Sequence, residues 1–97
     1  MYRDLNARRA LGLTIRELRE ERGLTQEALA LEAGVDRTFV GQIERAQQAP
    51  TFDLLWLLVH ALRISWAEFG AALDHQPAIK RGPAPRPSVQ RRGGPAK

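Results

Sequence analysis

The sequence contains no cysteine, which removes disulfide frameworks, thiol nucleophiles and cysteine-bearing zinc sites together. Its two histidines, His60 and His75, stand alone, with no nucleophile or ligand cluster to join, and there is no glycine-rich phosphate loop. The acids are spread over helix faces rather than gathered. These absences argue against catalysis, a bound metal and any cofactor, and no small-molecule ligand is evident. Long apolar runs are missing as well: the longest, Leu54 to Val59, is far too short to cross a bilayer. With no basic-then-apolar leader at its start, the chain is expected to be soluble and cytoplasmic, with no membrane partner.

Acidic residues are absent from the C-terminal stretch, and this sorts the charge. The formal net charge is +4 over 97 residues. Residues 1–74 nevertheless hold nine arginines against eleven acids, a balance of −2, while residues 75–97 hold six cations and no acid. A folded part that is mildly acidic can bind a polyanion only through locally sorted charge. The 75–97 segment also carries five prolines and three glycines, with Ile79 and Val89 as its only large apolar residues. It cannot bury enough surface to offset its ordering entropy and is expected to be a disordered basic tail. Residues 1–74 form one small domain, and a core of that size is marginal, which makes self-association a plausible source of extra stability.

Apolar period and capping residues predict five helices and no strand, an all-α domain. The first spans 6–22, with Leu11, Ile15 and Leu18 on one side and Gly23 after its end. Thr25 N-caps a second over 26–33, whose inward residues are Leu29 and Ala30, and Gly34 closes it. Asp36 N-caps a third over 37–45, with Phe39, Val40 and Ile43 as its apolar side. Pro50 and Thr51 introduce a fourth over 52–62. Ser65 and Glu68 form a capping box for a fifth over 66–73.

Helices two and three are joined by Gly34, Val35 and Asp36 alone. A turn that short holds two helices at a steep angle, as in a helix-turn-helix. The third helix then has a core side, Val40 and Ile43, and an outward side of Arg37, Thr38, Gly41 and Gln42, the arrangement a helix lying in a major groove requires.

The run from Ile15 to Ile64 resembles the lambda-repressor-like helix-turn-helix of the Xre and Cro type. The resemblance is carried by "LTQEALA", by "GVD" followed by "RTFVGQIER", and by a proline followed by an apolar helix ending in "ALRI". In texture, "DRTFVGQIER" is similar to the small dimeric restriction-modification controllers. One departure is Ala46, where the family usually has the glycine that ends the recognition helix.

The resemblance implies that double-stranded DNA is the partner and assigns roles to residues. Arg37 and Thr38 stand where base-contacting side chains are placed, and arginine is shaped to grip guanine bidentately. Gln42, one turn on, has the amide that pairs with adenine. Gln26, at the opening of helix two, is implied as a backbone phosphate contact. Phe39 is implied at the border of the groove, and Arg45, Gln47 and Gln48 as phosphate contacts from the following loop. Arg16 is a weaker phosphate contact, because charge on a first helix is usually a solvated face. Arg19 and Glu44 are implied as a structural salt bridge pinning the reading helix to the first. For the exposed positions the alternative is a plain solvated side chain, and for Gly41 it is simple tolerance rather than close approach to DNA.

Helix four is apolar on more than one side. Leu55, Leu58, Val59 and Leu62 suffice for the core, which leaves a second stripe of Leu54, Leu57 and Ala61; the resemblance implies dimerisation through the last two helices, which makes this stripe, with Trp66, the expected homodimer surface. The sequence therefore points to a dimeric transcriptional regulator reading a pseudo-palindromic operator with two recognition helices about 34 Å apart. A protein-interaction module, in particular an antitoxin that covers a partner through helix four or the tail, is the alternative of a different class.

Overall fold

In the computed structural model of the chain, residues 5–77 are described. Five helices follow one another: α1 (Leu5–Glu21), α2 (Gln26–Ala33), α3 (Arg37–Glu44), α4 (Phe52–Leu62) and α5 (Trp66–Asp74), with no strand among the described residues. The capping residues expected from sequence set four of the five starts. The Thr25 hydroxyl accepts from Ala28 N at 3.0 Å, the Asp36 carboxylate from Thr38 N at 2.7 Å, and the Thr51 hydroxyl from Leu54 N at 3.2 Å. Ser65 and Glu68 close a reciprocal box, Glu68 N donating to the serine hydroxyl at 3.0 Å and Ser65 N to the glutamate at 2.8 Å. Each cap satisfies a donor that the first helical turn leaves free.

The helix ends explain the anomaly at position 46. After α2 the chain turns through Gly34 at φ 74°, with Gly34 N bonded to Leu31 O and Val35 N to Ala30 O. α3 ends one residue earlier than expected, at Glu44, and then makes the same pair of bonds: Ala46 N to Ile43 O at 3.0 Å and Gln47 N to Gln42 O at 2.8 Å. This is a Schellman ending, whose pivot residue must be left-handed. Ala46 occupies that pivot at φ 63°, against a steric cost for a residue with a Cβ of roughly 1–2 kcal/mol. The departure from glycine thus shifts an energy, not the geometry.

Ile15, Leu29, Val40, Ile43, Leu58, Val59 and Leu62 are almost wholly removed from solvent and form the core with Ala30, Ala33, Ala61 and Phe69. α3 packs on α1 and α2, α2 on α4, and α1 on α5. α1 and α3 approach closely at Gly12. A Cβ placed on Gly12 would lie 2.4 Å from Ile43 O and 2.8 Å from Glu44 O, so only glycine lets the two backbones meet here. Gly12 carries no sequence-based role above. An interior helix glycine costs about 1 kcal/mol relative to alanine, and that cost is the signal that marks it.

Three expectations change. Phe39 is not on the core side of α3 but 44% exposed, one helical step away from the fully buried Val40. Ala61 is buried, with its carbonyl accepting from Arg22 Nη1 at 2.7 Å, and so is part of the protomer's interior rather than its surface. Order also continues past Asp74. Gln76 is buried and its amide nitrogen donates to Glu17 Oε1 at 2.9 Å, tying the end of α5 to α1. The remainder of the expected disordered tail, residues 78–97, lies outside the described residues.

Candidate nucleic-acid interface

The turn from α2 into α3 brings Gln26, Arg37, Thr38, Gly41 and Arg45 around one open depression of about 340 Å³. Asp36 begins the arrangement. Its carboxyl is held below the ordinary aspartate range, first by the hydrogen bond from the Thr38 backbone N–H and then by the Thr38 side chain. Capping fixes the first turn of α3 and leaves the side chains of Arg37 and Thr38 exposed at its edge. Arg37 has no side-chain partner among the described residues, and no acid lines the depression. The exposed Arg37 guanidinium and that of Arg45 therefore stand beside a hydroxyl and an amide at the depression, the kind of donor set that phosphates and base edges accept.

Behind this surface stands a buried ion pair. Arg19 Nε donates to Glu44 Oε2 at 2.7 Å and Nη2 to Oε1 at 3.1 Å, and Nη1 donates to Leu24 O at 2.7 Å. The Glu44 side chain is 3% exposed. Its hydrogen bond pushes the Arg19 pKa upward, outweighing the lowering by burial. One arginine thus joins α1, the turn before α2 and the end of α3. Removing one partner of such a pair leaves an uncompensated buried charge, at a cost of about 3–5 kcal/mol. Gln26 joins the same carboxylate, its Nε2 donating to Glu44 Oε1 at 2.9 Å. One amide hydrogen of this residue is therefore engaged inside the protein.

Gly41 is buried, and a Cβ there would lie 3.0 Å from Arg45 Nη1 and 3.4 Å from Gln26 Oε1. The missing side chain makes room for Gln26 and Arg45 at the floor of the depression. Gln42, expected to read a base, is half-buried and is not among the residues that line the depression. Gln47 accepts from Arg45 Nη2 at 3.3 Å. Gln48 and Phe39 lie apart from this cluster and line a second, mainly apolar depression of about 320 Å³ with Ile43, Ala49, Pro50, Thr51 and Leu54. Arg16 lines neither depression. It is spent on Glu20, at 3.2 Å across one turn of α1, with both side chains more than half exposed.

On α4 the exposed apolar surface is displaced from the stripe expected. Leu57 is exposed, but Leu54 is half-buried against the core, and the remaining exposed residues are Phe52 and Trp56. Trp66 is half-buried against them, stacked on Phe52 with centroids 5.7 Å apart at 19°, and 5.7 Å from Trp56. The signal available in the sequence was the aromatic spacing Phe52, Trp56, which places both rings one turn apart on one face.

Residues 15–69 match the family described as Helix-turn-helix. The chain belongs to the helix-turn-helix family. Its relatives include proteins named as HTH-type transcriptional regulators. The chain is 36% identical over 64 residues to the HTH-type transcriptional regulator SutR of Escherichia coli strain K12, a match over 66% of this chain and 36% of SutR. It is 32% identical over 73 residues to y4dJ, an uncharacterized HTH-type transcriptional regulator of Sinorhizobium fredii, over 75% of this chain and 95% of that protein. Among solved structures, the restriction-modification controller protein C.AhdI from Aeromonas hydrophila is 39% identical, with a TM-score of 0.61 over 64% of this chain and 94% of its own. The controller protein C.Esp1396I, solved as a tetramer in complex with its natural 35 base-pair operator, is 32% identical. Its TM-score is 0.68 over 70% of this chain and 90% of its own. The matched residues include α2, α3 and the turn between them. No single helix among the described residues is long and apolar enough to cross a membrane.

Proposed function

We propose that the protein binds double-stranded DNA sequence-specifically as a homodimer and regulates transcription from a pseudo-palindromic operator. The observation that carries this reading is the unpaired Arg37 beside Thr38 at the exposed start of α3, on a depression lined by no acid. Arg37, Thr38 and Gln42 read base edges. Gln26, Arg45, Gln47 and Gln48 set the register on the phosphates, and Phe39 borders the groove. The mechanism needs no cofactor. Affinity is expected to fall steeply with salt, because each neutralised phosphate contributes a slope of about −0.9 in log K against log salt.

The second copy docks on the aromatic face of α4 and α5. Phe52, Trp56 and Leu57 are exposed large apolar residues of α4, and Phe52 and Trp56 adjoin Trp66 in one aromatic cluster, the kind of exposed apolar surface that marks an association site. The structure of C.Esp1396I on its operator is named as a tetramer, and a family relative that assembles on DNA supports the same habit here. Selection of bound duplexes from a random pool tests the reading: two inverted half-sites about one helical turn apart are expected, and recovery of no common motif contradicts it. Leu57→Glu is expected to give monomers in sedimentation and to weaken operator binding. A dimer that persists places the contact elsewhere, and a stoichiometric protein partner seated on the same aromatics would favour the interaction-module reading.

A further inference from the structure

We infer that Glu44 is a positioning residue for the DNA contact at the start of α2: by holding one amide hydrogen of Gln26 it decides which edge of that side chain faces the nucleic acid. This rests on the reading of Gln26 as a phosphate contact. An ionised carboxylate only accepts hydrogen bonds. Glu44 is nearly sealed from water, and it collects Arg19 Nε at 2.7 Å, Arg19 Nη2 at 3.1 Å and Gln26 Nε2 at 2.9 Å. Of the two ways a glutamine amide can be turned, one sets its oxygen against this carboxylate and is repelled. The other, with Nε2 on Glu44, is the one observed.

The consequence is directional. One hydrogen of Nε2 is held inside, and Oε1 is placed toward Gly41, where an added Cβ would lie 3.4 Å from it. What remains for DNA is a single N–H on a side chain already fixed in place. Arg19 makes this possible in two ways. It neutralises Glu44, so that the buried anion does not repel phosphate, and through Leu24 O at 2.7 Å it secures the turn from which Gln26 springs. A long side chain ordered before binding loses less freedom on contact. Glu44 therefore contributes to affinity through Gln26, in addition to tying α3 to α1.

A double-mutant cycle with Gln26→Ala and Glu44→Gln tests this, reading affinity by anisotropy on a short fluorescein-labelled duplex of arbitrary sequence at low salt, where phosphate contacts dominate. Glutamine at position 44 keeps an oxygen for Arg19 but offers its own N–H to Gln26, and so turns that amide around. Glu44→Gln is expected to weaken binding about three- to tenfold more with Gln26 present than in the Gln26→Ala background, the range set by immobilising one such side chain; the effect of leaving Arg19 without its counter-charge enters both backgrounds alike and cancels in the cycle. An equal loss in both backgrounds shows a structural role only and overturns the inference. No loss from Gln26→Ala alone overturns the phosphate contact and this inference with it. In the unmutated protein the Gln26 side-chain amide is expected to be rigid in ¹⁵N relaxation, with one hydrogen shifted downfield. An amide as mobile as that of a solvated glutamine overturns the inference even where Glu44→Gln does not fold.

Discussion

Replacing Gly12 with alanine puts the packing of α1 on the reading helix to a direct test. In an ordinary solvated helix the change stabilises by about 1 kcal/mol. Here the new Cβ would meet Ile43 O at 2.4 Å and Glu44 O at 2.8 Å, where ordinary contact begins at 3.4 Å, so the carbonyl of Ile43 must retreat by about 1 Å. Both oxygens are backbone, so no rotamer change relieves them, and a close-packed interior transmits the displacement. Overpacking of this kind costs typically 1–3 kcal/mol, at times more. Two backbone clashes put the cost in the upper part of that range, about 2–3 kcal/mol; set against the propensity gain, a net loss of about 1–2 kcal/mol is expected, and at ~4–8 °C per kcal/mol for a domain of this size the midpoint falls by roughly 4–16 °C. Thermal unfolding followed by circular dichroism measures it. Gly70→Ala is the control: Gly70 is also inside a helix, nothing lies within 4 Å of its added Cβ, and the midpoint should rise. A Gly12→Ala midpoint equal to or above the parent's refutes the reasoning.

Other outcomes follow from the same geometry. Ala46→Gly relieves the left-handed pivot after α3 at φ 63° and should stabilise by about 0.5–1 kcal/mol once the greater freedom of the unfolded glycine is counted. An unchanged or lowered denaturation midpoint would mean that the pivot is not strained. Asp36 has its folded pKa lowered by the Thr38 N–H, so the cap stabilises fully above the unfolded value of about 3.9 and is lost as pH falls through the lower folded value. The stability difference between the parent and Asp36→Asn, from urea midpoints, should therefore be present at neutral pH and shrink in acid. A difference that does not vary with pH would remove the capping ionisation from the account.

Local chemistry was legible, whereas the one tertiary contact expected beforehand, Arg19 with Glu44, came from the family resemblance and not from either neighbourhood. Thr25, Asp36, Thr51, Ser65 and Glu68 announced the helix starts because a cap is made within three residues. The charge balance of residues 1–74 announced that DNA binding needs a few well-placed groups, and the depression around Arg37 is lined accordingly. Gln26 and Glu44, by contrast, meet across 18 positions, and nothing in either neighbourhood states that an amide hydrogen is shared. Counting 100° steps along α4 placed Ala61 with Leu57, yet Arg22 reaches the Ala61 carbonyl and the residue is covered. The same count could not show that Phe52, in the first turn, is left uncovered. Gln76 fell in a stretch whose composition reads as solvated, and its amide holds it by donating to Glu17 and to the Ala72 carbonyl.

The central claim is that Arg37 at the exposed start of α3 reads a base. Parallel selection from one random duplex pool with the parent protein and with Arg37→Ala measures it most directly. The account predicts that one position in each half-site, a guanine in the parent, becomes degenerate in the variant, and that affinity for the parent's best site falls by about 1–3 kcal/mol. The same motif recovered with undiminished information at every position, whatever the overall affinity, would contradict it and leave Arg37 as a phosphate or solvent-facing charge.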